Sequence, residues 1–175
     1  LCYILPWVTT PASALSLGAY DLAEWASLHP IVRETTPYLW SSLALRLPLA
    51  VSGILIASDI SQTPNRTLFG MAIVLLTAIA LLPPLEFFTI YRDDANYRQQ
   101  ILIAVGTLIT GAIVLPRRLA TVKPFLLSLI AAIGAVSASI GLNQSLRLLQ
   151  NFNLPIQIGI SGYILIIALG VLSIR

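Results

Sequence analysis

Long apolar runs separated by short polar stretches dominate this sequence. Five of them are near the length of about 20 residues that a helix needs to cross a bilayer core of about 30 Å. They cover residues 38–57, 67–90, 99–115, 125–142 and 156–174. Because lipid offers no partners for open backbone groups, such runs fold as helices. The pattern predicts an all-α fold, a bundle of transmembrane helices in a single membrane domain over residues 1–175.

A shorter apolar run opens the chain and ends at Pro6 and Trp7. The pattern predicts that residues 1–8 are the end of another transmembrane helix, which brings the native number of spans to six. A tryptophan at this point is typical of the boundary between hydrocarbon and headgroups. A cleaved signal peptide is the alternative interpretation of the same residues.

Residues 9–37 form the longest stretch between apolar runs, and we place them on the outer side of the membrane. Within them, residues 21–29 predict a short helix. Asp21 can cap its start, Glu24 follows three positions later as in a capping box, and Pro30 ends it. Beside a membrane, we expect such a helix to lie in the headgroup layer.

The three tryptophans predict where the chain meets the membrane surface. Tryptophan is enriched at that surface because its ring is apolar and its N–H group is polar. Trp25 shares the short helix with Leu22 and Leu28, and their spacing predicts one apolar face. We therefore predict interfacial anchors at Trp7, Trp25 and Trp40.

Composition agrees with this pattern. Hydrophobic residues make up 57% of the chain and charged residues 10%, whereas a soluble domain carries roughly a quarter of charged residues. The net charge of +3 comes from basic residues scattered along the chain, so we expect no nucleic-acid partner. We expect an integral protein of a bacterial-type cytoplasmic membrane, in contact with the lipid bilayer.

Basic residues also predict the orientation of the chain. Arg117, Arg118 and Lys123 form the one dense basic group, and short basic loops stay on the inner side. Their loop is therefore placed inside, and residues 9–37 and 91–98 outside. All but one of the seven acidic residues then lie on or near the outer side.

Two charged residues fall within apolar runs. Arg46 lies in the first predicted span and Glu86 near the outer end of the second, so both fall in the outer half of the membrane. A lone arginine in hydrocarbon costs on the order of 2.5–3.5 kcal/mol on insertion scales. We predict an intramembrane Arg46–Glu86 ion pair, which would mark a functional or assembly site. The alternative is that Arg46 snorkels to the surface and Glu86 lies at the interface.

Pro83 and Pro84 precede Glu86 in the second predicted span. They remove the N–H donors to the carbonyls of Ile79 and Ala80, so the helix must bend or open there. Freed carbonyls near an acid can line an ion site, as in transporters with broken helices. A kink around a neighbouring helix is the simpler interpretation.

The fourth predicted span is rich in small residues that repeat every four positions. Such faces let helix backbones approach closely in lipid. We predict a helix-packing face of Ala131, Gly134, Ala135, Ala138 and Ser139. Gly106 and Thr110 predict a smaller face of this kind in the third span. The partner is either another span of this chain or a different subunit.

Residues that carry catalysis or bind cofactors are scarce. His29 is the only histidine and lies outside the predicted spans, where a surface or capping role is expected, and Cys2 is the only cysteine. Hydrolytic and metal sites need several such groups together. We therefore expect no enzymatic activity, no bound metal and no cofactor.

These patterns favour a non-catalytic structural or assembly subunit of a larger membrane complex that transduces energy or transports a solute. Other membrane subunits are then its partners. The alternative is a transporter or channel component that uses Arg46, Glu86 and the break at Pro83 and Pro84. A pore needs several convergent polar groups, and few polar residues lie within the predicted spans.

Overall fold

Helices dominate the part of the chain that the computed structural model describes, which is residues 1–10, 15–34, 39–61, 66–116, 121–151 and 155–174. The α-helices are α1 (Ala19–Leu28), α2 (Pro30–Glu34), α3 (Trp40–Ile60), α4 (Thr67–Ala80), α5 (Ala95–Val114), α6 (Lys123–Gln150) and α7 (Ile160–Ser173). A 3₁₀ helix covers Leu85–Phe88, and three short strands are β1 (Val8–Thr10), β2 (Leu15–Leu17) and β3 (Gln157–Ile158). The mostly helical fold agrees with the predicted helical architecture, whereas the three strands depart from the predicted all-α class.

Three of these helices, α3, α5 and α6, are long and apolar enough to cross a membrane. They correspond to the first, third and fourth predicted spans. The second and fifth predicted spans contain α4 and α7, which have 14 residues each. At 1.5 Å per residue, each of these two helices is about 21 Å long. A membrane-associated helical fold is therefore supported, and the number of five full spans stays a prediction.

The second predicted span is interrupted by its prolines. α4 ends at Ala80, well before Ile90, where the predicted span ends. Pro83 and Pro84 follow, and neither has the N–H group that would continue the helix. The predicted kink is thus a helix end, after which the chain turns into the 3₁₀ helix.

The residues that carry the orientation prediction are only partly within the described chain. Arg117 and Arg118 lie outside it, as do residues 11–14 and 35–38 of the predicted outer segment. The orientation therefore stays a prediction.

By its internal contacts, the chain divides into two compact units. Unit 1 comprises Leu1–Pro48 and Ala132–Leu172, and unit 2 comprises Leu49–Ala131 and Ser173–Arg175. The boundaries fall inside α3 and α6 and before the last residue of α7. One membrane domain over residues 1–175 stays a prediction.

Unit 1 contains a small antiparallel sheet with the strand order β2-β1-β3. Val8 of β1 pairs with Leu17 of β2 and with Ile158 of β3. A turn over residues 2–4 precedes β1. The prediction that residues 1–8 end a helix is therefore wrong. The backbone groups of this segment pair with distant strands, and a local pattern of apolar residues contains no signal for such pairing.

In unit 2, glycines such as Gly70 and Gly111 allow close contacts between helices. A methyl group on Gly70 of α4 would lie 2.7 Å from the carbonyl oxygen of Ala57 in α3. A methyl group on Gly111 of α5 would lie 2.6 Å from a methyl carbon of Val74 in α4. Ala57, Val74 and Leu115 form a buried apolar cluster beside these contacts. Backbone approach of this kind is the usual basis of helix packing in lipid.

The close contact of α5 with α4 is not at the predicted glycine. Among the described residues, no atom lies within 4 Å of a methyl group on Gly106, so the predicted face at Gly106 and Thr110 does not pack against another helix of this chain there, and its contact with a different subunit stays a prediction. Gly111 makes the close contact, because it lies on the side of α5 that faces Val74.

Candidate functional site around Arg46

A buried ion pair lies in unit 1. Arg46 of α3 exposes only 1% of its side chain, and its Nη2 atom lies 2.5 Å from Oε1 of Glu24 in α1. The Glu24 side chain is 37% exposed, so one end of the pair reaches the surface. A buried guanidinium needs an acceptor of this kind, because an unpaired charge away from water is strongly destabilising.

The acid that binds Arg46 is not the predicted one. Glu86 lies in the 3₁₀ helix, and its side chain is exposed. The helix that would carry Glu86 through the membrane ends before Pro83 and Pro84, so this residue is not part of a transmembrane helix as predicted. The predicted Arg46–Glu86 pair is therefore wrong, and the acid that pairs with Arg46 is Glu24.

α1 positions Glu24 through its N-terminal cap and a buried face of small residues. The helix begins at Ala19, with Gly18 as the N-cap, and Oδ2 of Asp21 accepts the N–H of Gly18 at 3.1 Å. Asp21 was predicted as the cap itself, and it lies in the first turn instead. Its carboxylate there still interacts favourably with the positive N-terminal end of the helix dipole. The buried face consists of Ala19, Leu22, Ala23, Ala26 and Ser27.

The predicted apolar face of α1 is only partly correct. Leu22 is fully buried, whereas Leu28 is 71% exposed. A step of three residues turns a helix by about 300°, so Leu22 and Leu28 differ by about 120° around the axis. Trp25 is half-buried, and Trp40 is 36% exposed. The helix is confirmed, and its place in the headgroup layer and the anchoring role of these two tryptophans stay predictions.

The N-terminal segment contributes two aromatic residues to the site. Tyr3 donates its hydroxyl to the carbonyl oxygen of Leu45 at 3.0 Å, next to Arg46 in the chain. Trp7 packs edge-on against Tyr3, with ring centroids 6.3 Å apart, and is fully buried. The predicted anchor at Trp7 is therefore wrong. Its indole N–H donates to the carbonyl oxygen of Cys2 at 2.9 Å, so the polar atom of the ring is satisfied without the membrane surface.

Burial and nearby charges shift the pKa values of the two tyrosines of this site, Tyr3 and Tyr20. Burial raises the pKa of the Tyr3 phenol far above its ordinary value of 10.0, while the positive charge of Arg46 opposes the shift. Burial also raises the pKa of Tyr20, and the negative charge of Glu24 adds to that shift. Both phenols therefore stay protonated at neutral pH, and Tyr3 remains a hydrogen-bond donor to α3.

The Tyr3 phenol should make the stability of the protein sensitive to alkaline pH. The unfolded chain releases this proton near pH 10, whereas the folded chain retains it. The stabilisation is therefore complete below about pH 10 and is lost as the pH rises further. We expect Tyr3→Phe to cost about 1 kcal/mol at pH 7 and to reduce the loss of stability above pH 10.

Thermal unfolding in detergent between pH 7 and 11 measures both effects. Tyr163→Phe is the matched control, since Tyr163 is 46% exposed. An alkaline loss that is as steep in Tyr3→Phe as in the parent chain would contradict the assignment of this proton to Tyr3.

α3 and α6 are joined by a hydrogen bond and by a close backbone contact within unit 1. Ser41 of α3 donates its hydroxyl to Oε1 of Gln144 in α6 at 2.7 Å. A methyl group on Gly141 would lie 3.0 Å from the backbone nitrogen of Leu45. The two helices therefore meet where Gly141 of α6 faces the backbone of Leu45, which directly precedes Arg46.

The predicted small-residue face of α6 is on the buried side of the helix. Ala131, Gly134 and Ala138 are buried, and Ala135 and Ser139 are half-buried. Ile133 and Val136, which lie between them in the sequence, are 48% and 58% exposed. The burial pattern agrees with a packing face, and the contact of Gly141 with Leu45 extends it by one turn.

The remaining candidate for chemistry, His29, has a local structural role. Its Nδ1 atom accepts the N–H of Ile31 at 3.2 Å, at the start of α2, in agreement with the predicted capping role. Within the described ranges, no group of three or more His, Cys, Asp or Glu side chains is placed to hold a metal ion. No protein-family model, curated protein or solved structure matches this chain.

Proposed function

We propose that this chain is a non-catalytic structural or assembly subunit of a larger complex in a bacterial-type cytoplasmic membrane. The observation that supports the proposal is that Arg46 is buried and paired within the chain, among polar groups that join its segments. Its charge is neutralised by Glu24 at 2.5 Å, and Tyr3 and Ser41 on either side of it bond to backbone and amide groups. The polar groups of the site hold the N-terminal segment and α6 against α3.

The lipid-facing character of α4 supports an integral position in the membrane. Its buried residues are Gly70, Val74 and Ala78, which form one narrow stripe. Large apolar side chains that are at least half exposed cover the rest of the helix: Leu68, Phe69, Met71, Leu75, Leu76 and Ile79. Exposure of so much apolar surface to water is unfavourable, so we infer that lipid or another subunit covers it.

Five membrane crossings are part of the proposal. α3, α5 and α6 have sufficient length, and α4 and α7 need only short apolar extensions at their ends to cross the hydrocarbon. Other membrane subunits are proposed as partners, in contact with the exposed apolar faces. The transporter alternative used Arg46, Glu86 and the break at Pro83 and Pro84. Because Arg46 pairs with Glu24 and Glu86 is exposed in the 3₁₀ helix, the pairing part of that alternative has less support.

Substitution of Arg46 tests the structural role. We expect Arg46→Ala to reduce the amount of protein, and of any complex that contains it, more than the activity per assembled complex. The reason is that alanine removes both the charge and the buried side-chain stem. The measurement is purification in a mild detergent, with mass spectrometry of co-purified membrane proteins and quantification of each subunit.

Arg98→Ala is the matched control, because Arg98 forms an ion pair of similar length but is 59% exposed. It should leave accumulation unchanged. A chain that purifies alone, and whose reconstituted vesicles move ions or solutes only with Arg46 present, would contradict the structural role and favour the transporter.

A further inference from the structure

The apolar surface of α4 continues beyond the end of the helix. Leu85, Phe88 and Ile90 expose 81%, 51% and 75% of their side chains, and Tyr91 exposes 51%. Pro83 and Pro84 connect them to α4. Proline has no N–H group, so non-helical backbone at these two positions leaves fewer unpaired donors in apolar surroundings.

This exposed segment is held in one conformation by unit 2. The carbonyl oxygen of Glu86 accepts three backbone N–H groups, those of Thr89, Ile90 and Tyr91, at 2.9–3.2 Å. Phe87 is buried and contacts the ring of Tyr97 in α5 edge-on, with centroids 6.2 Å apart. The neighbouring apolar side chains are thus presented outward from a fixed base.

The surface changes from apolar to charged directly after the segment. Asp93 and Arg98 form an ion pair at 2.6 Å, with side chains that are 96% and 59% exposed. Asp94 caps α5 and accepts the N–H groups of Asn96 and Tyr97. Apart from the exposed Glu86, residues 85–91 therefore present mainly apolar and aromatic side chains, and charged side chains follow in residues 92–98.

We propose that residues 85–91 form a surface anchor, whose partner is the boundary between headgroups and acyl chains of the bilayer. α4 supplies about 21 Å, whereas the hydrocarbon core is about 30 Å thick. The anchor covers the difference with aliphatic and aromatic side chains, and tyrosine rings are favoured at this level. A lipid surface fits better than a protein partner, because the anchor continues the apolar surface of α4 and ends at charged residues that stay in water. This inference rests on the proposed membrane location.

Depth measurements with spin labels test the anchor. In a Cys2→Ser background, single cysteines replace Leu76 of α4, Leu85, Phe88 or Ile90 of the anchor, or Asp93. The protein is reconstituted into phosphatidylcholine–phosphatidylglycerol vesicles, and each label's collision rates with oxygen and with a nickel chelate are measured. We expect the oxygen-to-nickel ratio to be highest at position 76, intermediate at 85, 88 and 90, and lowest at 93.

The outcomes separate the anchor from the membrane proposal. If the ratio is high at position 76 but the ratios at positions 85, 88 and 90 are as low as that at position 93, the anchor alone would be overturned. Ratios at 88 and 90 equal to that at 76 would also overturn it, since the segment would then lie in the hydrocarbon. A low ratio at position 76 itself would overturn the membrane location, and the anchor with it. Three anchor positions are used so that a misfolded variant at one of them does not decide the result.

Discussion

Glu24→Gln should destabilise the protein more than Arg46→Met, although both changes break the same ion pair. Without Glu24, the positive charge of Arg46 remains in a site that is 1% exposed, and breaking a buried pair in this way costs about 3–5 kcal/mol. Because Glu24 is 37% exposed, we expect the lower end, about 3 kcal/mol. Methionine at position 46 keeps most of the side-chain volume, and the remaining carboxylate can reach water, so this change should cost about 1 kcal/mol.

The measurement is unfolding in mixed detergent micelles, with both single variants and the double variant. Asp93→Asn is the matched control, because it breaks an exposed ion pair of 2.6 Å with Arg98. This control should change stability by less than about 0.5 kcal/mol. In the double variant, most of the loss caused by Glu24→Gln should be recovered. Equal losses in the two single variants would mean that the environment of Arg46 is not the buried one described.

Gly70→Ala should destabilise unit 2 by about 1–3 kcal/mol, the usual cost of an added group in a packed interface. The new methyl group would overlap the hydroxyl of Ser61 and lie 2.7 Å from the carbonyl oxygen of Ala57. The serine side chain can rotate, but the carbonyl belongs to the backbone of α3. Relief therefore requires α3 and α4 to move apart at this contact.

The control for this prediction lies in the same unit. Gly106 is within α5, and a methyl group there would meet no atom within 4 Å. Gly106→Ala should thus stabilise the protein by about 0.5–1 kcal/mol, because glycine disfavours the helical state. The test is unfolding in micelles, where the free energy of unfolding should fall in Gly70→Ala and rise in Gly106→Ala. A loss of stability in Gly106→Ala would place a partner against that face of α5.

Much of the helical fold could be predicted from the sequence, because long apolar runs in lipid have few other structures available. The ends of the helices were harder to predict. Pro83 and Pro84 carried the signal that α4 stops, but the apolar run continues to Ile90, and the pattern was extended through the break. At the other extreme, α6 continues to Gln150 past the polar residue Asn143, since a polar side chain changes the helix surface without interrupting its backbone bonds.

The site itself could be predicted only in part. Arg46 stood out because arginine in an apolar run needs an acceptor, but Glu86 was the one acid within the predicted spans. Glu24 is selected by the way in which α1 packs, and a contact between distant segments leaves no local pattern. For the same reason, Tyr3 was not predicted and Trp7 was predicted at the membrane surface instead of in the site. Their burial depends on strands that were not predicted.

The sheet of unit 1 has a consequence for the order in which the protein is made. β1 is near the start of the chain, yet its partner β3 comes just before the last helix. The hydroxyl of Ser161 also bonds to the carbonyl oxygen of Pro6, 155 residues away. At a synthesis rate of about 5–20 residues per second, the ribosome needs roughly 8–30 seconds to cover that distance. During this interval β1 lacks one of its two neighbours, so the segment around β1 reaches its final structure only after β3 has been translated.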